Sequence, residues 1–305
     1  MERTKIVIIA GPTASGKTEL AATLATLFDG EVISADSMQV YRSMDIGTAK
    51  PSKEELGDVP HHLIDIVGPR EEYTAARFKK DAADKISEIR SRGRNVFMAG
   101  GTGLYIKALT QGLFEGPEAD WDLRRGLLEI AGSKGRAAIH EMLKEVDPES
   151  AAKIHPNNLH RVVRALEVYE LSKKPISGLQ KEHSFSSSPY ETLKIGLAKE
   201  RTELYSDIDH RVDRMIAAGL LDETKKLLAM GYRSDLKPMR GLGYKEMTGF
   251  INGEYAFDEA VRLLKRNTRH YAKRQLTWFK GDHEIRWFNP ADKTGIITIV
   301  REFLD

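Results

Sequence analysis

Residues 11 to 18 read Gly-Pro-Thr-Ala-Ser-Gly-Lys-Thr, and Asp36 closes the apolar run Val32-Ile33-Ser34-Ala35. The first segment has the composition of a phosphate cradle. Gly11 and Gly16 let the chain curl through Pro12, Thr13, Ala14 and Ser15 so that successive backbone N–H groups, with none from Pro12, face one anion. Lys17 adds a positive charge, and the hydroxyl of Thr18 is the natural ligand for a magnesium ion, Mg2+, beside that anion. Asp36 supplies the complementary chemistry, since a carboxylate at the end of a neighbouring strand binds magnesium through water or takes a proton from a nucleophile. Each motif also has a plain reading, an ordinary strand-to-helix turn for the loop and a turn cap for Asp36.

These residues need particular elements to hold them. The apolar run Lys5 to Ala10 reads as a core strand that enters the loop, and the pattern Glu19 to Ala25 as a helix that leaves it, with its N-terminal dipole aimed at the same point. Further strands are expected at Glu31 to Ala35, His62 to Val67 and Asn95 to Ala99, with helices near Thr18 to Phe28, Thr74 to Arg92 and Gly103 to Gln111. Alternation of this kind builds βα units and a parallel sheet, which bind ligands at the carboxyl ends of the strands. From Asp120 to about Lys174 the pattern is helical alone, with Leu123, Leu127, Leu128 and Ile130 as its first apolar markers. Loop signals flank it at Gly116-Pro117 and Ser184 to Pro189, and Leu193 to Ala198 returns to a strand. The fold class is therefore α/β, a P-loop NTPase-like parallel sheet core over 1–118 and 189–305, with an all-helical insertion over 119–188.

Between Glu259 and Asp282 there is no acidic residue, while Arg262, Lys265, Arg266, Arg269, Lys273, Arg274 and Lys280 all occur. Spacings of three and four put Arg262, Lys265, Arg266, Arg269 and Lys273 along one side of a helix. Such a face binds a polyanion, or else pairs with acids elsewhere in the fold.

The 305 residues, 41% hydrophobic, suffice for one large domain and a smaller one, and the net charge of +2 selects no partner. The absence of cysteine excludes disulfides, thiolate nucleophiles and cysteine-based zinc sites. No apolar stretch reaches the ~18 residues of a membrane span, so a soluble cytoplasmic protein, with no membrane partner, is expected. Asp65-Ile66-Val67-Gly68 matches the Asp-x-x-Gly element of GTPases, but the Asn-Lys-x-Asp element that reads guanine is missing. His61 and His62 are adjacent, so on a strand they face opposite ways and read as structural, not as metal ligands.

Longer segments narrow the choice. Ala35 to Pro51, Gly100-Gly-Thr-Gly-Leu-Tyr105, His155 to Tyr169 and Ala272-Lys-Arg-Gln-Leu-Thr-Trp-Phe279 closely resemble the tRNA dimethylallyltransferases, in order and spacing, as far as about Trp287. The resemblance implies an enzyme that transfers a dimethylallyl group from dimethylallyl diphosphate to the exocyclic amine of the adenine 3′-adjacent to the anticodon. It implies Mg2+ as cofactor, the anticodon stem-loop of tRNA as partner, and a monomer. The phosphate loop then holds a leaving diphosphate, and Asp36 is the base. Arg211 aligns with a family arginine that contacts the diphosphate; its plain alternative is a surface ion pair with Asp207 or Glu203. Ser37, Met38 and Gln39 resemble adenine and anticodon contacts, and Thr102 is placed at the substrate adenosine or, more simply, at a helix N-cap. Arg124, His160, Arg161 and Arg164 of the insertion resemble tRNA contacts, as do Arg240, Gly241 and Gly243 near the anticodon loop. Arg266, Arg269 and Lys273 join them on the basic helix.

Three other readings stay open on the sequence. An ATP-dependent small-molecule kinase uses the same nucleotide-binding loop but has no use for a long acid-free helix. An adenylate isopentenyltransferase shares the chemistry but needs no insertion to hold an RNA stem. A non-catalytic RNA-binding protein has no reason to keep Lys17, Thr18 and Asp36 together.

Overall fold

The computed structural model describes residues 3–112, 116–182 and 188–305. The first stretch runs β1 (Thr4–Ala10), α1 (Lys17–Leu27), β2 (Gly30–Ser34), α2 (Lys53–Leu56), β3 (His61–His62), α3 (Ala75–Ser91), β4 (Asn95–Gly100) and α4 (Gly103–Gln111). Five helices follow, α5 (Trp121–Lys134), α6 (Arg136–Val146), α7 (Pro148–Lys153), α8 (Leu159–Ser172) and α9 (Ile176–Glu182). The last stretch is β5 (Tyr190–Leu197), α10 (Arg201–Ala217), α11 (Leu220–Ala229), α12 (Tyr244–Ile251), α13 (Phe257–Lys280), β6 (Ile285–Phe288) and α14 (Lys293–Leu304). The chain forms two compact units, Met1–Thr110 with Ser188–Asp305, and Gln111–Ser187. The loop signals had placed these divisions at 118 and 188; most of the second signal, at 184–187, lies outside the described residues.

In the first unit six strands pair in parallel in the order β3-β2-β4-β1-β5-β6. The strand β1 is buried on both faces, which is why its sequence is a continuous apolar run. Ile6, Ile8 and Ala10 join the core under α4, α12 and α13, while Val7 and Ile9 pack with Leu20 and Leu24 of α1 and with Ile296 and Val300 of α14. Each fully buried aliphatic side chain contributes roughly 1.5–3 kcal/mol, so the stem of the phosphate loop is anchored where the sheet is firmest. Because β4 and β5 flank β1 on opposite sides, the chain reverses direction across the sheet there, and the crevice lies at the carboxyl ends of β1 and β4.

The strand expected over His62 to Val67 is only two residues long. Leu63 and Asp65 have positive φ values of 63° and 57°, which no strand accommodates, so the segment turns instead. It runs alongside residues 39–41, with Asp65 N–H donating to the Gln39 carbonyl at 3.1 Å and Ile66 N–H to that of Val40 at 2.9 Å. The histidines keep structural partners: His62 Nε2 lies 2.6 Å from Glu31 and His61 Nδ1 lies 2.9 Å from the Val59 carbonyl.

The second unit has its own apolar core of Leu127, Ile139, Leu143, Val162, Val163 and Leu166. Two buried carboxylates tie its helices. Asp147 caps α7 by accepting from Ser150 N–H at 2.9 Å and also accepts from Ser177 Oγ at 2.7 Å. Glu167, with a side chain 0% exposed, accepts two bonds from Arg124 at 2.8 and 2.9 Å, one from Arg164 at 2.5 Å and one from Asp120 N–H at 2.8 Å. Two of the arginines expected to grip RNA therefore have their guanidinium groups committed to a buried carboxylate, whereas His160 and Arg161 are exposed at the start of α8. Burial works against the charge of Glu167, but the hydrogen bonds from Arg124, Arg164 and Asp120 outweigh it and hold the carboxyl below the usual glutamate range. Its contribution is thus complete above the ordinary glutamate pKa and is lost as the pH falls through the lowered one. Glu167→Ala leaves two guanidinium groups unpaired and should lower stability to urea by about 3 kcal/mol; a midpoint equal to that of the wild type would show that the network carries little.

Candidate active site

The phosphate loop folds as its residue types require. Gly16, at φ +86°, is the left-handed residue that starts α1, and a Cβ on Gly11, at φ +152°, would lie 2.8 Å from the Leu197 carbonyl oxygen of β5. Ala14 takes φ +64° without being glycine, a conformation that costs energy and is held by its surroundings. No side chain caps the first turn of α1. The Ser15 hydroxyl is buried without a hydrogen-bond partner among the described residues. Uncapped amides, an orphaned hydroxyl and a lysine together form an anion seat waiting for acceptors.

A cavity of about 530 Å³ opens at this seat, and Thr13, Lys17 and Thr18 form part of its wall. Asp36 and Arg211 line the same cavity. Burial, with repulsion from Arg211 and only partly opposed by attraction to Asp36, lowers the Lys17 pKa to about 7. Lys17 Nζ donates to the Pro12 carbonyl at 2.5 Å. Burial also lowers the pKa of Arg211, again against Asp36. The surface ion pair that would have explained Arg211 is absent, because Glu203 and Asp207 are both held by Lys199, at 3.1 and 2.7 Å.

Asp36 caps the turn that its position suggests. One carboxylate oxygen accepts from Met38 N–H at 2.8 Å and Gln39 N–H at 3.3 Å, forming the turn after β2. The other has no hydrogen-bond partner among the described residues. Thr102, which follows β4, does not cap α4 with its hydroxyl; Oγ1 accepts from Ser37 N–H at 3.0 Å and so supports the residue next to Asp36. Ser37, Met38 and Gln39 line the cavity, as do Arg240 and Gly241 from a short 3-10 turn, whereas Gly243 starts α12 just beyond it.

The acid-free stretch is not one free cationic face. Arg269 is clamped by Asp209 of α10 at 2.8 and 3.0 Å, Lys265 by Asp213 at 2.6 Å and Arg262 by Glu259 at 2.6 Å. Arg266 and Lys273 remain exposed, without a carboxylate partner among the described residues. The stripe of α13 that meets the cavity carries Asn267, Tyr271, Arg274 and Gln275, with His270 beside it. Two anchors carried no warning in residue spacing. Gln275 bridges the phosphate loop and the turn after β4. Glu223 of α11 accepts from the N–H groups of Asp45, Ile46 and Gly47 at 2.9–3.0 Å and from the Tyr244 hydroxyl at 2.6 Å, fixing the loop that begins at Asp36. Gln275 stands inside the segment Ala272 to Phe279, whose pattern showed its place but not its contacts.

A parallel sheet with this loop at the point where strand order reverses defines a P-loop protein whose anion seat faces a carboxylate. Residues 39–282 match the family model described as IPP transferase, and the chain belongs to that family. It is 54% identical over 99% of its length, and 98% of the relative's, to the tRNA dimethylallyltransferase 2 of Geotalea uraniireducens (strain Rf4). Among solved structures it is similar to the full-length tRNA isopentenylpyrophosphate transferase from Bacillus halodurans, with TM-score 0.74 and 44% identity, covering 99% of this chain and 97% of that one. A eukaryotic dimethylallyltransferase acting on tRNA superposes with TM-score 0.80 at 30% identity, covering 99% of this chain and 79% of that one.

The electrostatics of the seat make a sign-definite prediction. At pH 8 Lys17 is mostly neutral in the free protein, and an anion in the loop favours its charged form, so binding draws a proton in. Calorimetric titration with inorganic diphosphate, in buffers of different ionisation enthalpy, should show the wild type taking up about one proton more than Lys17→Met. Equal uptake by the two proteins would contradict the lowered pKa.

Proposed function

We propose that this protein is a tRNA dimethylallyltransferase. It transfers the dimethylallyl group of dimethylallyl diphosphate to the exocyclic amine of the adenine 3′-adjacent to the anticodon and releases diphosphate. The observation that carries the reading is that Lys17, Thr18, Arg211 and Asp36 line one cavity, so that the phosphate seat and the carboxylate open into the same space. A kinase and a transferase with a diphosphate leaving group use the same seat, and the family relationship favours the second.

The allylic carbon–oxygen bond breaks readily because positive charge spreads over the allyl system, and its electron pair leaves with the diphosphate. Lys17, Arg211 and the loop amides stabilise the charge that develops there. The adenine amine is a weak nucleophile, so its placement against the allylic carbon supplies much of the acceleration. As the new carbon–nitrogen bond forms, the amine's proton passes to Asp36. The adenine must leave its stack to reach this cavity, at a cost of a few kcal/mol that contacts to the anticodon stem-loop offset. His160 and Arg161 of the insertion, Arg240, and Arg266 and Lys273 of α13 are the exposed side chains suited to those contacts.

Magnesium fits the donors present. The described residues contain no group of three His, Cys, Asp or Glu side chains that would cage a metal, and magnesium prefers a few protein oxygens together with waters and phosphate oxygens. Thr18, and Asp36 through water, would hold it, and it would neutralise charge on the diphosphate. The enzyme acts as a monomer, in the cytoplasm where its tRNA substrate is expected. No helix among the described residues is long and apolar enough to cross a membrane.

The test is incubation with labelled dimethylallyl diphosphate and unmodified tRNA, with free AMP and with ATP in parallel. Label should pass to tRNA alone. Transfer to AMP in place of tRNA, or phosphoryl transfer from ATP, would overturn the assignment. Asp36→Asn keeps an oxygen for the Met38 and Gln39 amides but cannot take the proton, so kcat should fall by about a thousandfold with tRNA affinity unchanged. An active Asn variant would remove the base role.

A further inference from the structure

Gln275 lies on α13, 6% exposed, with both ends of its carboxamide in use. Its Oε1 accepts from Thr13 N–H at 2.8 Å, and its Nε2 donates to the Gly101 carbonyl at 2.9 Å. One side chain therefore spans the two loops that define the crevice, the phosphate loop after β1 and the turn after β4.

Each contact restrains something the reaction needs. Thr13 N–H is turned toward Gln275 and so is withdrawn from the set of amides that face an anion. That bond fixes the tip of the loop beside Ala14, whose φ of +64° relaxes unless it is held. Gly101 immediately precedes Thr102, whose hydroxyl accepts from Ser37 N–H at 3.0 Å, and Ser37 adjoins Asp36. The approach of α13 also explains the second glycine of Gly100-Gly101: a Cβ on Gly101 would stand 2.1 Å from Gln275 Nε2 and 3.3 Å from its Cδ, while Gly11 O lies at a comfortable 3.6 Å.

We propose that Gln275 is a positioning residue that sets the diphosphate seat against the turn carrying Thr102, acting through the backbone and not by touching the substrate. This rests on the reading of the cavity as a diphosphate site given under Proposed function. It makes Gly101 and Gln275 one device, because an alanine at 101 displaces the same carboxamide that Gln275→Ala removes.

The experiment is a double-mutant cycle over Gln275→Ala, Gly101→Ala and the pair, reading the Kd for inorganic diphosphate by calorimetry and the KM for each substrate in turnover. Leaving the partly buried Thr13 N–H unpaired should weaken diphosphate binding and raise the KM for dimethylallyl diphosphate by about tenfold in each single variant. The double variant should match Gln275→Ala, since no carboxamide remains for the new methyl group to displace, and the KM for tRNA should not move. If Gln275→Ala does not fold, Gly101→Ala alone carries the readout, because it keeps the glutamine and only moves it. Wild-type diphosphate affinity in a folded single variant would overturn the proposal. So would losses that multiply to about a hundredfold in the double variant, or a rise confined to the KM for tRNA. A wild-type protein that binds diphosphate yet transfers nothing to tRNA would instead defeat the proposed function, and the diphosphate arm would still decide the role of Gln275.

Discussion

Two cations, Lys17 and Arg211, are confined in one cavity with the carboxylate of Asp36, and the rest of the structure can be understood as holding that uneasy set together. Burial lowers the pKa of both cations, and each is improved by an anion between them. Asp36 cannot satisfy both, since one of its oxygens already closes the turn after β2. The free protein therefore stores an electrostatic demand that an anion in the loop would meet, and in the proposed reaction the demand grows as charge moves onto the leaving group.

Rigidity comes from three directions. The parallel sheet fixes the stem of the phosphate loop through β1, which is buried on both faces. Glu223 gathers three consecutive backbone amides and the Tyr244 hydroxyl, so the loop that starts at Asp36 hangs from α11 and α12. Gln275 closes the arrangement from α13, the helix that also presents Tyr271 and Arg274 to the cavity. A carboxylate with four hydrogen bonds and a carboxamide with both ends bonded thus fix the loops that line the cavity.

The legible parts of this design are the local ones. The phosphate loop, the strands β1, β2, β4 and β5 and the position of Asp36 follow from residue types within short windows, where backbone sterics and the alternation of apolar residues decide the outcome. Reading fails where a distant partner decides. The acid-free run on α13 reads as a polyanion face or as a basic surface paired with acids, and the spacing does not choose between them because Asp209 and Asp213, which neutralise Arg269 and Lys265, lie on α10 far back in the chain. Arg124 and Arg164 likewise suggest RNA contacts until Glu167 is found buried between them. The segment after His62 carries the apolar residues of a strand, yet Leu63 and Asp65 adopt positive φ to follow residues 39–41, a tertiary demand with no local signature.

The central claim is that the bond broken at the phosphate seat joins carbon to oxygen. Dimethylallyl diphosphate carrying a heavy oxygen isotope at the bridge between C1 and the first phosphorus tests it directly, with mass spectrometry of the products after a single turnover on tRNA. All of the bridging isotope should leave in the released diphosphate. Recovery of the isotope in a dimethylallyl alcohol would mean that phosphorus is attacked instead, and would contradict it.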